Sequence, residues 1–182
     1  MDSYSIAPAR PQDLPHLAAI ELAAAQLLTA HAPESVLLET TSLDELREAQ
    51  VRGRLWVALA GDTPVGFAHV TMLEPGVAHL AELDVHPAHG RRGLGSALVR
   101  SVCAWASREG FESVTLTTFR DVPFNQPFYA VLGFADVATA DLTPVFREGM
   151  KDEARRGLDP DRRVVMRCAL RRPGNIPAAS GY

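Results

Sequence analysis

The segment LDVHPAHGRRGLGSAL, residues 83–98, decides the fold of this 182-residue chain. It has the pattern of a buried strand, a break at Pro87, a tight glycine turn and the first residues of a long helix. Glycines leave backbone N–H groups unobstructed, and a helix start adds the positive end of the helix dipole. Arg91 and Arg92 stand beside these donors. The segment therefore predicts an anion site, for which a pyrophosphate is the most natural ligand.

Particular residues exclude two well-known phosphate loops. A Walker loop needs a lysine and a serine or threonine after its second glycine, and no lysine follows Gly95. A dinucleotide-binding fingerprint needs a third glycine where this chain has Leu98. These residues are also consistent with a glycine-rich helix start that binds no ligand. The rest of the sequence must distinguish this alternative from an anion site.

Length and composition limit the class of protein. With 182 residues, 47% of them hydrophobic, the chain is long enough for one globular domain. Its net charge of −4 gives no electrostatic case for binding nucleic acid. The sequence has no apolar run of membrane-spanning length and no signal-peptide core, and Cys103 and Cys168 are typical of buried thiols in a reducing cytosol. We expect a cytoplasmic protein with one domain over residues 1–172 and a tail over 173–182.

Apolar periodicity predicts a chain of strands that later alternate with helices. The predicted strands are 4–8, 55–59, 65–72, 78–85, 114–119 and 164–170. The predicted helices are 11–27 with Asp13 as its N-cap, one that starts at Ser42 with Glu45 completing a capping box, 95–109 and 126–132. This order indicates an α/β class with a mixed α+β sheet.

A second segment, NQPFYAVLGF at residues 125–134, identifies a family together with the first. The pair resembles the GNAT superfamily of acyl-CoA-dependent N-acyltransferases. Residues 83–98 are similar to its Q/R-x-x-G-x-G/A pyrophosphate loop after a V-x-P strand end, and residues 125–134 to its Y-x-x-x-G-F segment. The resemblance covers Trp56 to Phe134. It implies a twisted central sheet of six to seven mostly antiparallel strands, flanked by about four helices and splayed to admit coenzyme A.

The resemblance implies acetyl-CoA as the acyl donor and no metal. The residues that it places against the donor are Leu83, Asp84 and Val85 through their backbone, Arg91, Arg92, Gly93, Leu94, Gly95 and Ser96 at the pyrophosphate, and Asn125 at the pantetheine arm. The chain departs from the family at Gly90, where a glutamine or arginine is usual, and at Val122, where many members carry an asparagine. The pyrophosphate is therefore expected to be held mostly by backbone.

Tyr129 is the residue expected to carry the chemistry. A phenol with an ordinary pKa near 10 is protonated at neutral pH and can donate a proton to a departing thiolate. By resemblance to the family, Tyr129 has this role. The alternative is a core tyrosine that packs beside Phe128 and Phe134.

The amine needs a base, because a protonated amine is not a nucleophile. On the strand before the loop, Glu82 is the first candidate and His79 the second. Strict alternation puts Glu82 and Asp84 on one face and His79 on the other, unless a bulge redirects them. Each of these residues has the alternative of being only a solvated or hydrogen-bonded side chain. His69 and the histidines that flank the loop are expected at the surface.

The amine that accepts the acyl group is the least defined part of the predicted function. The resemblance places its pocket within residues 24–42, 117–127 and 141–163, with Glu39 and Glu82 as acids able to attract a cationic amine. The leading hypothesis is N-acetylation of a small-molecule primary amine by direct attack in a ternary complex, since Cys103 lies mid-helix with no histidine beside it. A protein or peptide N-acetyltransferase and a non-catalytic acyl-CoA sensor stay open. Members of the family are frequently dimers, so a homodimer is a further expectation.

Overall fold

The computed structural model describes residues 3–170. The strands are β1 (Tyr4–Pro8), β2 (Leu55–Ala60), β3 (Thr63–Glu74), β4 (Val77–Val85), β5 (Ser113–Phe119), β6 (Ala135–Asp136) and β7 (Arg163–Ala169). The α-helices are α1 (Leu17–Ala25), α2 (Glu34–Leu37), α3 (Leu43–Val51), α4 (Leu94–Arg108), α5 (Gln126–Val131) and α6 (Pro144–Arg155). The expected tail, residues 173–182, lies outside the described residues.

The strands form one seven-stranded sheet in the order β1-β2-β3-β4-β5-β7-β6. β4 and β5 run parallel, and the other neighbours pair antiparallel. The mixed, mostly antiparallel sheet is thus confirmed. Six α-helices are found in residues 3–170 rather than about four, the additional ones being the short α2 and the charged α6. In this part of the chain, no helix has the length and apolar character needed to cross a membrane.

β4 and β5 separate soon after they meet. Their pairing runs only from Val77↔Ser113 to His79↔Thr115. The remainder of β4, residues 80–85, pairs with β3 on its other side but has no partner on β5. The expected splay of the sheet is therefore present, and it leaves one backbone edge of β4 free.

A bulge in β4 changes which side chains share a face. Against β3, Glu82 pairs with His69 and Leu80 pairs with Val70, so Ala81 is one residue too many. One extra residue reverses the alternation beyond it. His79, Glu82 and Asp84 consequently lie on the same face, whereas strict alternation would have separated His79 from the two acids.

Helices cover both faces of the sheet. On the α4 side, Leu94, Leu98 and Val102 are buried with Leu80, and Leu83 and Val85 pack against this cluster. On the other side, α1 and α3 bury Leu17 and Leu46 against Phe67. The face of β4 that carries His79 and the acids thus belongs to the side of α1 and α3.

Two helix starts test the predicted caps. The capping box of α3 is confirmed, because the Ser42 hydroxyl accepts from the Glu45 N–H at 3.3 Å and Glu45 Oε2 accepts from the Ser42 N–H at 3.0 Å. Asp13 as an N-cap is wrong: Arg10 holds that position, and Asp13 is the third residue of a 3₁₀ turn, Pro11–His16. Its carboxylate accepts from the Arg10 N–H at 2.7 Å. Pro11 supplies no N–H and is suited to the first turn, so the helical segment begins at the predicted residue 11 but its cap is Arg10 rather than Asp13.

Gly66 sets the spacing between β3 and β4. A Cβ at this position would lie 2.8 Å from the Asp84 carbonyl oxygen and 3.1 Å from Val85 Cγ2. We expect Gly66→Ala to destabilise the fold by about 1–3 kcal/mol, because backbone has to move to admit the methyl group. In contrast, Gly149→Ala in α6 meets no atom within 4 Å and should stabilise by about 0.5–1 kcal/mol. Urea unfolding of both variants tests the contrast, and equal effects would contradict it.

Candidate active site

A cleft of about 1380 Å³ opens where β4 and β5 separate. It is bordered by β4, the loop before α4, the ends of β5 and α5, and the inner sides of α1 and α6. The lining includes all but one of the predicted site residues: His79, Glu82, Leu83, Asp84, Val85, Arg91, Gly93, Leu94, Gly95, Ser96, Asn125 and Tyr129. The structure thus brings together residues that are 50 positions apart in the sequence.

The exception is Arg92, whose guanidinium lies over the ring of Tyr4, 5.5 Å from its centroid. The hydroxyl of Tyr4 is hydrogen-bonded to Nδ1 of His89 at 3.0 Å. His86 accepts a hydrogen bond at Nδ1 from the Ala88 N–H at 3.2 Å. The contacts of Tyr4 hold the loop against β1, and the side chain of Arg92 packs on Tyr4 rather than lining the cleft.

The loop before α4 has left-handed backbone at two positions. Gly93, the N-cap of α4, has φ = 77°, and Arg91 has φ = 60°. A non-glycine residue in this region costs about 1–2 kcal/mol, and such strain is typical of functional loops. Left-handed residues in a turn gather successive N–H groups into a concave anion site. The loop and the positive end of the 15-residue α4 therefore have the features of a phosphate site.

Three carboxylates meet in the cleft. Oxygen atoms of Glu21, Glu82 and Asp84 all lie within 4.8 Å of one another. Glu21 comes from α1 and is held in place by Thr41, whose N–H donates to Oε2 at 2.9 Å. The sequence interpretation missed Glu21. Its signal was a single acid in an otherwise apolar helix, LAAIELAAA at Leu17–Ala25.

Burial of these carboxylates opposes their ionisation. Burial first, and then repulsion by Asp84, raises the pKa of Glu82 well above its ordinary range. Burial and the charge of Glu21 raise the pKa of Asp84 to about 8. Burial likewise raises the pKa of Glu21, although hydrogen bonds from Thr41 oppose the shift. Part of the cluster is therefore protonated at neutral pH.

Two histidines border the cluster. His79 Nδ1 is hydrogen-bonded to the Thr115 hydroxyl at 3.0 Å, its ring lies 5.6 Å from that of Phe146, and burial lowers its pKa to about 4. His69, expected at the surface, is instead only 5% exposed, because β3 lies inside the sheet and α3 packs over it. His79 is neutral and engaged, which leaves Glu82 as the stronger candidate base.

Tyr129 both packs beside Phe128 and Phe134, as a core tyrosine would, and lines the cleft, as a proton donor must. Its ring packs edge-on against Phe128 and Phe134, at centroid distances of 5.0 and 5.8 Å, while the residue lines the cleft. Burial, followed by the charges of Asp84 and Glu82, raises its pKa above 10, so the phenol stays protonated.

Asn125 occupies the N-cap position of α5, but its side chain makes no capping bond. Its Nδ2 instead donates to the Thr118 hydroxyl at 2.8 Å and ties α5 to the end of β5.

The segment 26–41, which we call the bridge, spans one end of the cleft. Its Glu39 forms an ion pair with Arg156, and its His31 accepts a hydrogen bond at Nδ1 from Arg162 at 2.6 Å. Leu28, Ala32 and Val36 of the bridge also pack on the buried cluster of Phe119, Val122 and Leu158. Glu39 is thus neutralised by Arg156, contrary to its expected role in attracting an amine.

The raised pKa of Asp84 predicts a pH-dependent stability. Between its ordinary value of 3.8 and about 8, the folded protein keeps a proton that the unfolded chain has lost. The free energy of unfolding therefore falls as pH rises through this window. We expect Asp84→Asn to gain stability relative to the wild type from pH 5 to pH 8 and to level off above it. Urea unfolding at several pH values measures this, with the exposed Glu48→Gln as control. If the free energy of unfolding changes with pH in the same way for Asp84→Asn and the wild type, the pKa of Asp84 is not raised by folding.

Comparisons with known proteins identify the family to which this chain belongs. Residues 22–134 match the family model of the acetyltransferase (GNAT) family. A mycothiol acetyltransferase of Streptomyces avermitilis is 31% identical over 170 residues, which cover 81% of this chain and 55% of that protein. The chain thus spans about half the length of this curated relative.

Solved structures show the same fold. PaiA N-acetyltransferase from Thermoplasma acidophilum, in complex with coenzyme A, superposes with a TM-score of 0.70 at 19% identity, covering 92% of this chain and 99% of that one. N-acetylglutamate synthase from Neisseria gonorrhoeae, complexed with coenzyme A and N-acetyl-glutamate, gives 0.69 at 19% identity, covering 94% of this chain and 36% of that one. With the family match over residues 22–134, these findings show that the chain belongs to the GNAT acetyltransferase family.

Proposed function

We propose that this protein transfers an acetyl group from acetyl-CoA to the primary amine of a small molecule, by direct attack in a ternary complex. The observation that carries the proposal is the position of Tyr129. It lines the same cleft as Glu82 and Asp84, beside the free edge of β4, so a proton donor and a proton acceptor share one site.

The cleft has the features that coenzyme A requires. The unpaired backbone of Leu83, Asp84 and Val85 offers N–H and C=O groups to the amides of a pantetheine arm, as a sheet edge does to an added strand. This edge leads into the loop of residues 91–96, whose backbone donors and Arg91 suit a pyrophosphate. When bound here, acetyl-CoA supplies an acetyl thioester.

The residues of the chain then move two protons. Primary amines arrive as ammonium ions at neutral pH, and Glu82 in its ionised form takes one proton so that the nitrogen gains a free electron pair. An N–C bond forms as the C–S bond breaks, and Tyr129 gives its phenolic proton to the leaving sulfur. The second proton of the nitrogen restores Tyr129, and Glu82 releases its proton to water. The balance is one amine cation and one thioester in, one amide, one thiol and one proton out.

The bridge favours a small acceptor over a polypeptide. A peptide needs a groove that is open along its length, whereas the Glu39–Arg156 ion pair and the His31–Arg162 hydrogen bond cross one end of this cleft. A polypeptide acceptor would require those contacts to break. Homodimerisation and a cytoplasmic location stay predictions.

Tyr129→Phe tests the general acid. We expect kcat for acetyl transfer to fall about 100-fold, because positioned proton donors contribute about 10²–10⁴-fold. The KM of the amine and the Tm should change little, since the ring still packs against Phe128 and Phe134. The assay measures thiol release with acetyl-CoA and a panel of amines and peptides. An unaltered kcat contradicts the assignment, and coenzyme A binding without turnover on any acceptor favours a sensor.

Arg91→Gly tests the phosphate loop. Glycine adopts φ = 60° without strain, so the fold should be retained while one cation is lost. A charge-assisted hydrogen bond contributes about 1.5–3 kcal/mol, and we therefore expect the Kd for coenzyme A to rise about tenfold or more. Isothermal titration calorimetry measures this, with Arg100→Ala on the exposed side of α4 as the control of equal charge. Equal Kd values for the two variants would place the pyrophosphate elsewhere.

A further inference from the structure

The charged side chains on the acceptor side of the cleft divide into two groups. Arg163 is held by Glu153 through hydrogen bonds of 2.8 and 3.0 Å, and Arg156 is paired with Glu39. In contrast, the carboxylates of Glu21, Glu82 and Asp84 form no salt bridge with any cation in residues 3–170. The two arginines that line this side of the cleft therefore each have an acidic partner, whereas the three acids of the cluster have no cationic partner within these residues.

Two buried polar atoms beside this cluster lack a hydrogen-bond partner within the described part of the chain. One is Asp84 Oδ2, and the other is Nδ1 of His69. His69 is 5% exposed, pairs across the sheet with Glu82 and lines the same cleft. Burial lowers the pKa of His69, so the ring is neutral and one of its nitrogens can accept a hydrogen bond. Buried acceptors in native proteins are normally satisfied, which points to a donor that binds from the cleft.

A primary ammonium fits the spacing of the carboxylates. It has three N–H donors at tetrahedral angles, and hydrogen bonds of about 2.8 Å place the three acceptors about 4.6 Å apart. The oxygens of Glu21, Glu82 and Asp84 lie within 4.8 Å of one another. A nearby cation favours the ionised form of a carboxyl group. One ammonium ion can therefore contact all three carboxylates, keep them ionised and reduce their mutual repulsion.

The wall beyond the carboxylates is apolar. Helix α6 lines the cleft with Val145, Phe146 and Met150, and a Cβ added at its Gly149 would meet no atom within 4 Å. Leu73, at the end of β3, also lines the cleft and is 42% exposed. Glu153 and Arg156 also line the cleft on this side, but they are paired with Arg163 and Glu39. The remaining apolar surface is suited to covering hydrocarbon.

From these observations we infer that Glu21, Glu82 and Asp84 form one ammonium site, and that the acceptor is an amphipathic primary amine with an apolar body and no carboxylate. This inference rests on the proposed function, because it uses the same cleft. Glu21 is then a substrate-binding residue that orients the amine, while Glu82 takes its proton. A carboxylate on the ligand would face the three acids or the already paired arginines, which disfavours its binding. A second ammonium would lie on the apolar wall, where it would lose water without gaining a partner.

Three acceptors of matched length test the inference: hexylamine, 6-aminohexanoate and 1,6-diaminohexane. With acetyl-CoA, we expect kcat/KM for hexylamine to exceed that of each of the other two at least tenfold. Equal or better turnover of 6-aminohexanoate overturns the exclusion of a carboxylate, and a preference for 1,6-diaminohexane overturns the apolar body. If neither these three amines nor any other amine releases thiol, the proposed function is refuted.

Binding measurements separate the ammonium site from turnover. Hexylamine is titrated into the protein saturated with coenzyme A, and we expect Glu21→Gln to raise its Kd at least tenfold. The Kd for coenzyme A should be retained, and the Tm should not fall, because the substitution removes one of three mutually repelling acids. The matched Glu48→Gln on the exposed side of α3 should change none of these values. Hexylamine binding that is unaffected by Glu21→Gln overturns the site. Binding of Mn²⁺ alone that Glu21→Gln abolishes, with no binding of hexylamine, also overturns it and assigns the cluster to a metal.

Discussion

The separation of β4 from β5 after the His79–Thr115 pair is the constraint on which the rest of the molecule depends. A continuous parallel ladder would satisfy the backbone of residues 80–85 and close the cleft. The bulge at Ala81 acts at the same point, because it turns His79, Glu82 and Asp84 to one face while Leu80 stays in the core. One irregular strand, β4, therefore produces both the free backbone edge and the polar face of the site that carries His79, Glu82 and Asp84.

The cluster of acids on this face lowers the stability of the fold. Three carboxylates gathered in a buried place repel one another and lose solvation, which is why the pKa values of Glu82 and Asp84 are raised. The apolar clusters on the two faces of the sheet compensate for this cost. A cation held between these carboxylates would reduce the same repulsion, so the inferred ammonium site would link folding stability to amine binding through these side chains.

The sequence predicted most of the fold and most of the residues of β4 and the following loop that line the cleft, but not the arrangement of the acids. The glycines of residues 90–96 and the capping box at Ser42 are local signals, and both led to correct elements. The bulge at Ala81 has no local signal, because it depends on pairing with β3. Glu21 looked like one acid on an apolar helix until packing placed it beside β4. Arg92 was directed away from the cleft by Tyr4, which is 88 positions earlier in the chain.

The two halves of the cleft differ in what builds them. The side proposed to bind the acyl donor is one continuous stretch, residues 83–96, which would act mainly through backbone groups whose geometry the glycines determine. The acceptor side is assembled by side chains from α1, the bridge, β3 and α6, which long-range packing alone brings together. In the proposed function, the backbone groups would recognise a feature shared by all acyl-CoA molecules, whereas the side chains would discriminate between amines. A sequence can therefore indicate the acyl donor directly, while the chemical class of the acceptor becomes accessible only from the assembled fold.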